Sequence, residues 1–360
     1  MTIYTIRGAI TLTSAAHQTA PERSGNHSPL ISTFVKGETR NINLPIITAN
    51  SVRGVLRRAA ASRIAASLLE RKVQIPRDLY LSISRGAFSR TGMKTGDATL
   101  KEMAAAAKHV HAGLFGGGAR MFPSRLAMED DLKPMVSETR DLFPPQFRGL
   151  CMGSAILRGD NGEYLGSSLT TKALLTSRDD FAAGRGIDVI ENVESAYLEY
   201  IERNLETGAA KKAQKKAKQD DKTLVIRDED RAKSTNLAGF NTLDVIVPGT
   251  RLYFGLRLTS PTPAQLGMTL LAVQDWANQN AVGGGAARGR GRFAPALTLE
   301  ADGKSIAEPL LDGWAPSYTL ADLAIIADAV AAAQAEIAQC TRESLLEVYP
   351  ISTEPQVEAA

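Results

Sequence analysis

Residues 243–258 read LDVIVPGTRLYFGLRL. Pro248 and Gly249 split the run in two, because proline has no donor for a strand ladder and a Pro-Gly pair favours a turn. In the second half Leu252, Phe254, Leu256 and Leu258 alternate with Arg251, Tyr253 and Arg257, the period of two of a half-buried strand. Pro263 then opens a helix that runs to about Asn280, a glycine-rich turn GGGAARGRGR occupies residues 283–292, and RFAPALTLE closes as a strand. This half of the chain therefore reads strand, helix, strand.

The N-terminal half carries a matching unit. In residues 3–13 Tyr4, Ile6, Ile10 and Leu12 point one way and Thr5, Arg7, Thr11 and Thr13 the other, a strand with a polar, partly basic outer face. A polar loop from about Ser14 to Ser32 is long for a connection without structure of its own. LPIITANS then enters a helix expected from about Val52 to Lys72, with Asn50 or Ser51 as N-cap and Val55, Ala59, Ser62, Ala66 and Leu69 on one face. Residues 1–73 thus form one part of the core. Residues 74–115 are a helical excursion whose clearest helix is KEMAAAAKHVHAGLF, residues 116–171 return as strands, and 172–241 are a second insertion holding the lysine cluster KKAQKKAK at 211–218. Residues 242–300 complete the core, and 301–360 are an acidic segment. In that segment one amphipathic helix is expected from near Thr319, with Leu320, Leu323, Ala327, Val330 and Ile337 on its packed face and a frayed tail from Pro350. The order of strand, helix, excursion, strands, helix, strand predicts an α/β (α+β) protein with a ferredoxin-like or RRM-like sheet carrying two insertions.

The 360 residues, 44% hydrophobic, are ample for a sizeable core. No apolar stretch approaches the roughly 20 residues that span a bilayer, and MTIYTIRGAITLTS lacks the order of a signal peptide, so a cytoplasmic protein is expected. Cys151 and Cys340, too few for a disulfide framework, read as buried free thiols. Eleven acidic and two basic residues from Glu300 to Ala360 give that segment a net charge of −9, so with the whole chain at +3 residues 1–299 carry +12. A basic body suits a polyanionic partner.

The chemistry concentrates in GGGAARGRGRF. Consecutive glycines allow close backbone approach to a ligand. Arg288, Arg290 and Arg292, spaced by Gly289 and Gly291, present forked donors suited to phosphate. The turn joins a helix C-terminus to a strand, the reverse of a P-loop or dinucleotide fingerprint. Nucleotide hydrolysis is excluded on that ground.

ANSVRGVLRR, after a proline-containing strand, resembles the helix-entry motif of the repeat-associated mysterious protein superfamily of CRISPR proteins. GGGAARGRGRF looks like its glycine-rich loop before the last strand, LFGGG at 114–118 is similar to its Phe-Gly element, and VPGTRLYFGLRL to its strand pair ahead of the second helix. The four elements occur in the family's order over most of the chain, and are most similar to the Cas-seven type backbone subunit of type IV effectors. The resemblance implies a palm with helical fingers at 74–115 and a thumb at 172–241. It implies that Ser51, Arg53 and Arg57 grip guide-RNA phosphates with the help of free helix N-terminal amides. Gly283, Gly284, Gly285, Arg288 and Arg290 would wrap the same strand, with Arg292, His17, Arg23 and Arg120 in the RNA-facing set. The implied partners are guide RNA, further copies of the chain in a head-to-tail helical assembly, end-capping effector subunits, target DNA or RNA through guide pairing, and a recruited helicase, with no membrane and no cofactor.

Other residues weigh less. His17 and His27, with Glu22 and Arg23 between them, could bind a metal or act as acid and base, but no fixed spacing supports that and a solvated or RNA-facing loop is the simpler reading. His109 and His111 lie two apart on a predicted helix and do not share a face. MEDD at 128–131 could hold a cation but reads more simply as a surface turn or helix start, and Trp276 reads as core. Related type III subunits cut target RNA with an aspartate in the loop after the first strand; here Thr13 to Thr33 holds none. The expectation is a binding subunit and not an enzyme. A target-RNA endonuclease of the same fold and a phosphate-ligand enzyme using the glycine-rich turns are the competing readings.

Overall fold

A computed structural model describes residues 1–21, 27–37, 41–86, 98–118, 121–161, 163–178 and 238–351. The chain divides into two compact units, Met1–Pro21 with Leu30–Thr171 and Asp244–Ala360, and Glu22–Pro29 with Lys172–Leu243.

The elements run β1 (Ile3–Leu12), β2 (His27–Ser28), β3 (Ser32–Lys36), β4 (Asn41–Pro45), α1 (Ala49–Glu70), α2 (Arg77–Arg85), α3 (Leu100–Lys108) and α4 (Ala112–Phe115). They continue through β5 (Leu126–Met128), two 3-10 turns (Ser137–Leu142 and Pro145–Leu150), β6 (Ile156–Arg158), β7 (Tyr164–Ser167), β8 (Thr170–Arg178), β9 (Ala238–Ile246) and β10 (Arg251–Thr259). The last are α5 (Pro263–Gln279), β11 (Phe293–Ala301), β12 (Lys304–Ala307), β13 (Leu311–Asp312), β14 (Thr319–Leu320), α6 (Ala324–Gln339) and α7 (Arg342–Val348).

The palm sheet has the order β12-β11-β1-β10-β5. β1 pairs antiparallel with β10 and with β11, and β10 antiparallel with β5. With α1 after β1 and α5 after β10, this is the predicted ferredoxin-like split βαβ, extended by β12 at one edge. One sheet face carries Ile6, Ile10 and Leu12 of β1 with Leu252, Phe254, Leu256 and Leu258 of β10, all buried in one core with α1 and α5. Trp276 belongs to that core: it stacks on Phe254 and meets Phe293, and its indole N–H donates to the carbonyl of Ala281 at 3.0 Å. In the second unit β2 pairs in parallel with β9, which has β8 on its other side.

Several boundaries differ from expectation for identifiable reasons. α1 begins at Ala49 because Thr48 is the N-cap, its hydroxyl accepting from Ser51 N–H. Its buried face runs through Val52, Leu56, Ala60, Ile64 and Leu68, and Leu69 is exposed; alanines and serines spread around the helix leave no clear period, so packing selects the face. The KEMAAAAKHVHAGLF helix is interrupted at His109, whose Nδ1 accepts from the N–H groups of His111 and Ala112, ending α3 and starting α4. Thr319 and Leu320 pair with Leu311 and Asp312 as a hairpin instead of opening a helix. The side chains of Gln274 and Asn278 hold Tyr318 beside it. α6 therefore starts at Ala324 and buries Ile326, Ala329, Ala333 and Ile337. Tyr349, just before the expected tail, is fully buried, and Cys151 is only partly buried.

α6 lies so close on α5 that a Cβ on Gly267 would sit 1.9 Å from the carbonyl oxygen of Ala329. The obstacle is backbone, so it cannot rotate away. Gly267→Ala should lower stability by about 1–3 kcal/mol, measured as an earlier urea midpoint with an unchanged m-value; a wild-type midpoint would show that α6 is not held against α5 at this point.

Candidate nucleic-acid interface

The glycine-rich loop is pinned by its backbone. Gly284 N–H donates to His17 O at 2.6 Å, Gly291 N–H to Ala15 O at 2.9 Å, and Val282 N–H to Gly291 O at 2.9 Å. Arg292 N–H donates to Ser14 Oγ and Phe293 N–H to Asn280 Oδ1. Gly283 and Gly291 have φ of 73° and 72°, and a Cβ on either would lie 2.5 or 1.9 Å from the carbonyl oxygen of His17 or Val282. Glycine is required there for conformation and space together. The result is a fixed platform on which Arg288 and Arg292 are exposed and Arg290 half-buried. Among the described residues, none of the three guanidinium groups has a hydrogen-bond or ion-pair partner.

The loop reaches the start of α1. Gly283 approaches Ile47. Beyond His17, Gln18 clamps the helix N-cap with both ends of its amide: Thr48 N–H donates to Oε1 at 2.9 Å and Nε2 donates to Thr48 Oγ1 at 2.7 Å. The first helix turn is not a set of free amides. Ala49 N–H donates to Asp131 Oδ1 at 2.7 Å and Ser51 N–H to Thr48. A carboxylate already occupies the positive end of the helix. The expectation that free amides at the helix N-terminus grip phosphate is corrected accordingly at Ala49 and Ser51, whose N–H groups are taken. Asp131 is also the role of MEDD, with Glu129 paired to Arg7 and Asp130 to Lys133.

The arginines of the helix-entry motif separate. Arg57 is 5% exposed. Its guanidinium donates to the carbonyls of Ile83, Ser82 and Gly116 at 2.8, 3.1 and 3.0 Å, and burial lowers its pKa. Arg57 is thus a scaffold residue and not a phosphate ligand, because its donors are turned inward to carbonyls of the fingers. Arg53 is half-buried and donates to Phe115 O, and burial lowers its pKa also. Arg58, adjacent in sequence, is exposed, and its guanidinium lies 3.3 Å from where a Cβ on Gly54 would be. A sequence reading that singled out Arg53 and Arg57 missed it; the adjacent Arg-Arg pair was the available signal, since neighbours on a helix point about 100° apart.

The His17 ring is 8% exposed and engaged at both nitrogens, with Asp244 O at 2.6 Å and Thr19 Oγ1 at 2.8 Å. Its contribution here is the carbonyl that holds Gly284, which corrects the expectation of an RNA-facing side chain or a free base. Arg23, Arg120, Glu22 and the lysine cluster 211–218 lie outside the described residues.

LFGGG forms a turn in which Gly116, Gly117 and Gly118 all have positive φ. It packs on Arg57 and Tyr349. His111 is fully buried, its Nδ1 2.8 Å from Tyr349 Oη. Burial lowers the His111 pKa well below its usual value, lowers that of His109 to about 4, and raises that of Tyr349.

The other face of the palm sheet is closed to base stacking. Phe143 and Phe147 lie over Tyr253, with ring centroids 4.9 and 5.9 Å apart. The Tyr253 hydroxyl donates to Glu129, and Arg7 bridges Glu129 and Glu300.

No family model matches the sequence, and no curated protein matches it. Among solved structures, a chain described as "Type IV-B CRISPR Complex" is similar at 14% sequence identity and a TM-score of 0.43, over 87% of this chain and 96% of that chain.

Two outcomes are expected. Arg57→Met strands the buried carbonyls of Ile83 and Gly116, while Ser82 O keeps the Gly86 N–H, and should cost about 2–3 kcal/mol or more, whereas Arg288→Ala should leave the urea midpoint near wild type; equal midpoints would refute the scaffold role. Folding holds His109 and His111 neutral, while the unfolded chain takes up protons below about pH 6.5. Stability is therefore complete above pH 6.5 and falls toward pH 4, by up to about 1.4 kcal/mol per pH unit for each histidine. His109→Asn, which keeps a capping acceptor, should flatten that slope in urea titrations at stepped pH.

Proposed function

We propose that the chain is an RNA-binding backbone subunit of a CRISPR effector complex, which holds a guide RNA by its phosphates, assembles head to tail, and presents the guide for pairing with target DNA or RNA. The observation that carries this reading is the loop at 283–292, fixed through its glycines on residues 13–17 and offering beside the start of α1 three guanidinium groups that have no partner among the described residues. Arginine on a rigid platform suits phosphate, which is repeated at every nucleotide and carries no sequence information. Arg58, leaning over Gly54, is placed to add a fourth cation. A subunit that must accept any guide sequence is served by such contacts, and the covered Tyr253 supports the same conclusion, since the sheet offers no exposed aromatic at that position.

The subunit binds and does not cut in this reading. The His17 ring is engaged at both nitrogens, so it is not poised as a general base, and the loop Thr13 to Thr33 contains no aspartate. The chain acts in the cytoplasm with copies of itself, end-capping subunits and a recruited helicase, and without a cofactor. Among the described residues no helix is long and apolar enough to cross a membrane.

The purified chain should carry RNA, visible as a high 260/280 nm absorbance ratio, and sequencing that RNA should return repeat-derived guides. If each protomer neutralises about five phosphates, the log–log salt slope should be roughly −3 to −4 per protomer. Arg288→Glu with Arg290→Glu should weaken all RNA sequences alike, by about 1.5–3 kcal/mol per lost contact. RNA-free protein with a flat salt response would refute the proposal, and a change of base preference at constant affinity would refute the phosphate assignment.

A further inference from the structure

A chain of hydrogen bonds is buried where α1, residues 109–118 and α7 meet. His111 and Tyr349 are fully buried, Cys340 is buried and His109 partly so. The bonds decide where each ring carries its proton. His109 Nδ1 accepts from the N–H groups of His111 and Ala112, each at 3.1 Å, so its proton is on Nε2, which faces Cys340 Sγ at 4.0 Å. Arg57 can only donate, and it bonds the Tyr349 oxygen. Tyr349 therefore turns its own proton to His111 Nδ1, 2.8 Å away. Nδ1 is again the acceptor, and the Nε2–H of His111 is a buried donor without a hydrogen-bond partner among the described residues.

Geometry thus holds both imidazoles in the neutral form. A proton added at either Nδ1 sets a donor against a donor. At His109 the two N–H groups between α3 and α4 lose their acceptor. At His111 the Tyr349 hydroxyl loses its acceptor, with Arg57 already on its oxygen. The charged or titratable groups facing the two rings are Arg57, with Arg53 behind it on α1, Tyr349 after α7, Cys340 before α7, and the other histidine. Arg71 and Glu336 lie against Cys340, and α5 presents the neutral amide of Gln265 to the His109 carbonyl. Among the described residues no carboxylate faces either ring, so a positive ring has no anion to meet, and burial disfavours it further.

Both rings press on an element that the sheet does not need. α7 packs on α3 and buries Leu345 and Val348, and Tyr349 follows it, yet it adds no strand to the palm. β1 pairs with β10 and β11 under α1 and α5 without it. We infer that α7 is an acid-released latch: protonation of His109 and His111 frees α7 and residues 109–118 while the palm sheet stays paired. Beyond the global loss of stability at low pH, one local unit therefore departs first, and it does so with or without RNA. The helix-entry arginines feel the latch, because the carbonyls of Phe115 and Gly116 hold Arg53 and Arg57, and Gly118 in the same turn packs on Tyr349.

The test is amide hydrogen exchange of the full-length protein at pH 7 and pH 5, corrected for the intrinsic exchange rate. An exposed histidine titrates near 6.5 and the closed rings well below that. Each ring that takes up a proton on opening should therefore raise the opening constant roughly twentyfold over these two units, and the pair several hundredfold, at residues 111–118 and 342–349. Amides of β1, β10 and β11 should stay within about twofold of their protection at pH 7. His109→Asn, which keeps an acceptor for the two N–H groups, should cut the rise to roughly twentyfold. Leu345→Ala removes packing and no titrating group, so it should raise opening by the same factor at both pH values. Equal loss of protection in α7 and the palm strands would overturn the latch. So would a wild-type rise no larger than that of His109→Asn, or a Leu345→Ala effect that grows at pH 5.

Discussion

β1 must pair along both edges with strands made some 240 to 300 residues later. Tyr4 faces Leu258 on one side and Ala301 on the other, and Leu12 faces Phe293. Until those pairs form, the chain has no sheet for α1 and α5 to cover, and closing so long a loop costs entropy before any contact offsets it. Once formed, the pairing also decides the site. The end of β1 and the start of β11 are neighbours, so residues 13–18 fall beside residues 282–292. Their carbonyls then find the N–H groups of the glycine-rich loop.

A second constraint is the buried Arg57 guanidinium. A charge taken out of water is costly unless its donors are used. Here three carbonyls from α2's last turn and the LFGGG turn use them, and Phe115 lies with its ring centre 6.0 Å away. This gives the LFGGG element a physical role: three left-handed glycines turn the chain so that the Gly116 carbonyl points at Arg57 and Gly118 leaves room for Tyr349. The last described helix is thereby joined through Tyr349 and His111 to the first, and the fingers are held between them. Motifs that look like binding elements in the linear chain are here structural parts of one buried hub.

The surfaces divide the work by chemistry. The outer face of the palm sheet is filled by Phe143 and Phe147 and by the ion pairs of Arg7 with Glu129 and Glu300. Cations with no partner among the described residues remain on the glycine-rich loop and at Arg58 of α1. Asp131 at the helix N-terminus marks a limit to that surface, since a phosphate placed there would meet a carboxylate.

The sequence alone was enough for the α+β class and for the alternating strands β1 and β10, because alternation of apolar side chains survives any tertiary context that covers one face. It also placed α5, whose proline start and left-handed Asn280 stop are local signals. The same is true of the Gly/Arg loop, where composition alone specifies a conformation and a charge. What the linear pattern could not decide was the direction in which a side chain points when its helix has no clear apolar period. Arg57 turns inward and Arg58 outward because carbonyls contributed by the fingers wait on one side of α1 only. His17 reads as an exposed loop residue until Asp244, 227 positions away, accepts its proton donor. Thr319 looked like the start of a helix until Leu311 and Asp312 paired with it and its neighbour. In each case the deciding partner is distant in sequence, and a residue's own neighbours carry no record of which distant group will satisfy its hydrogen bonds.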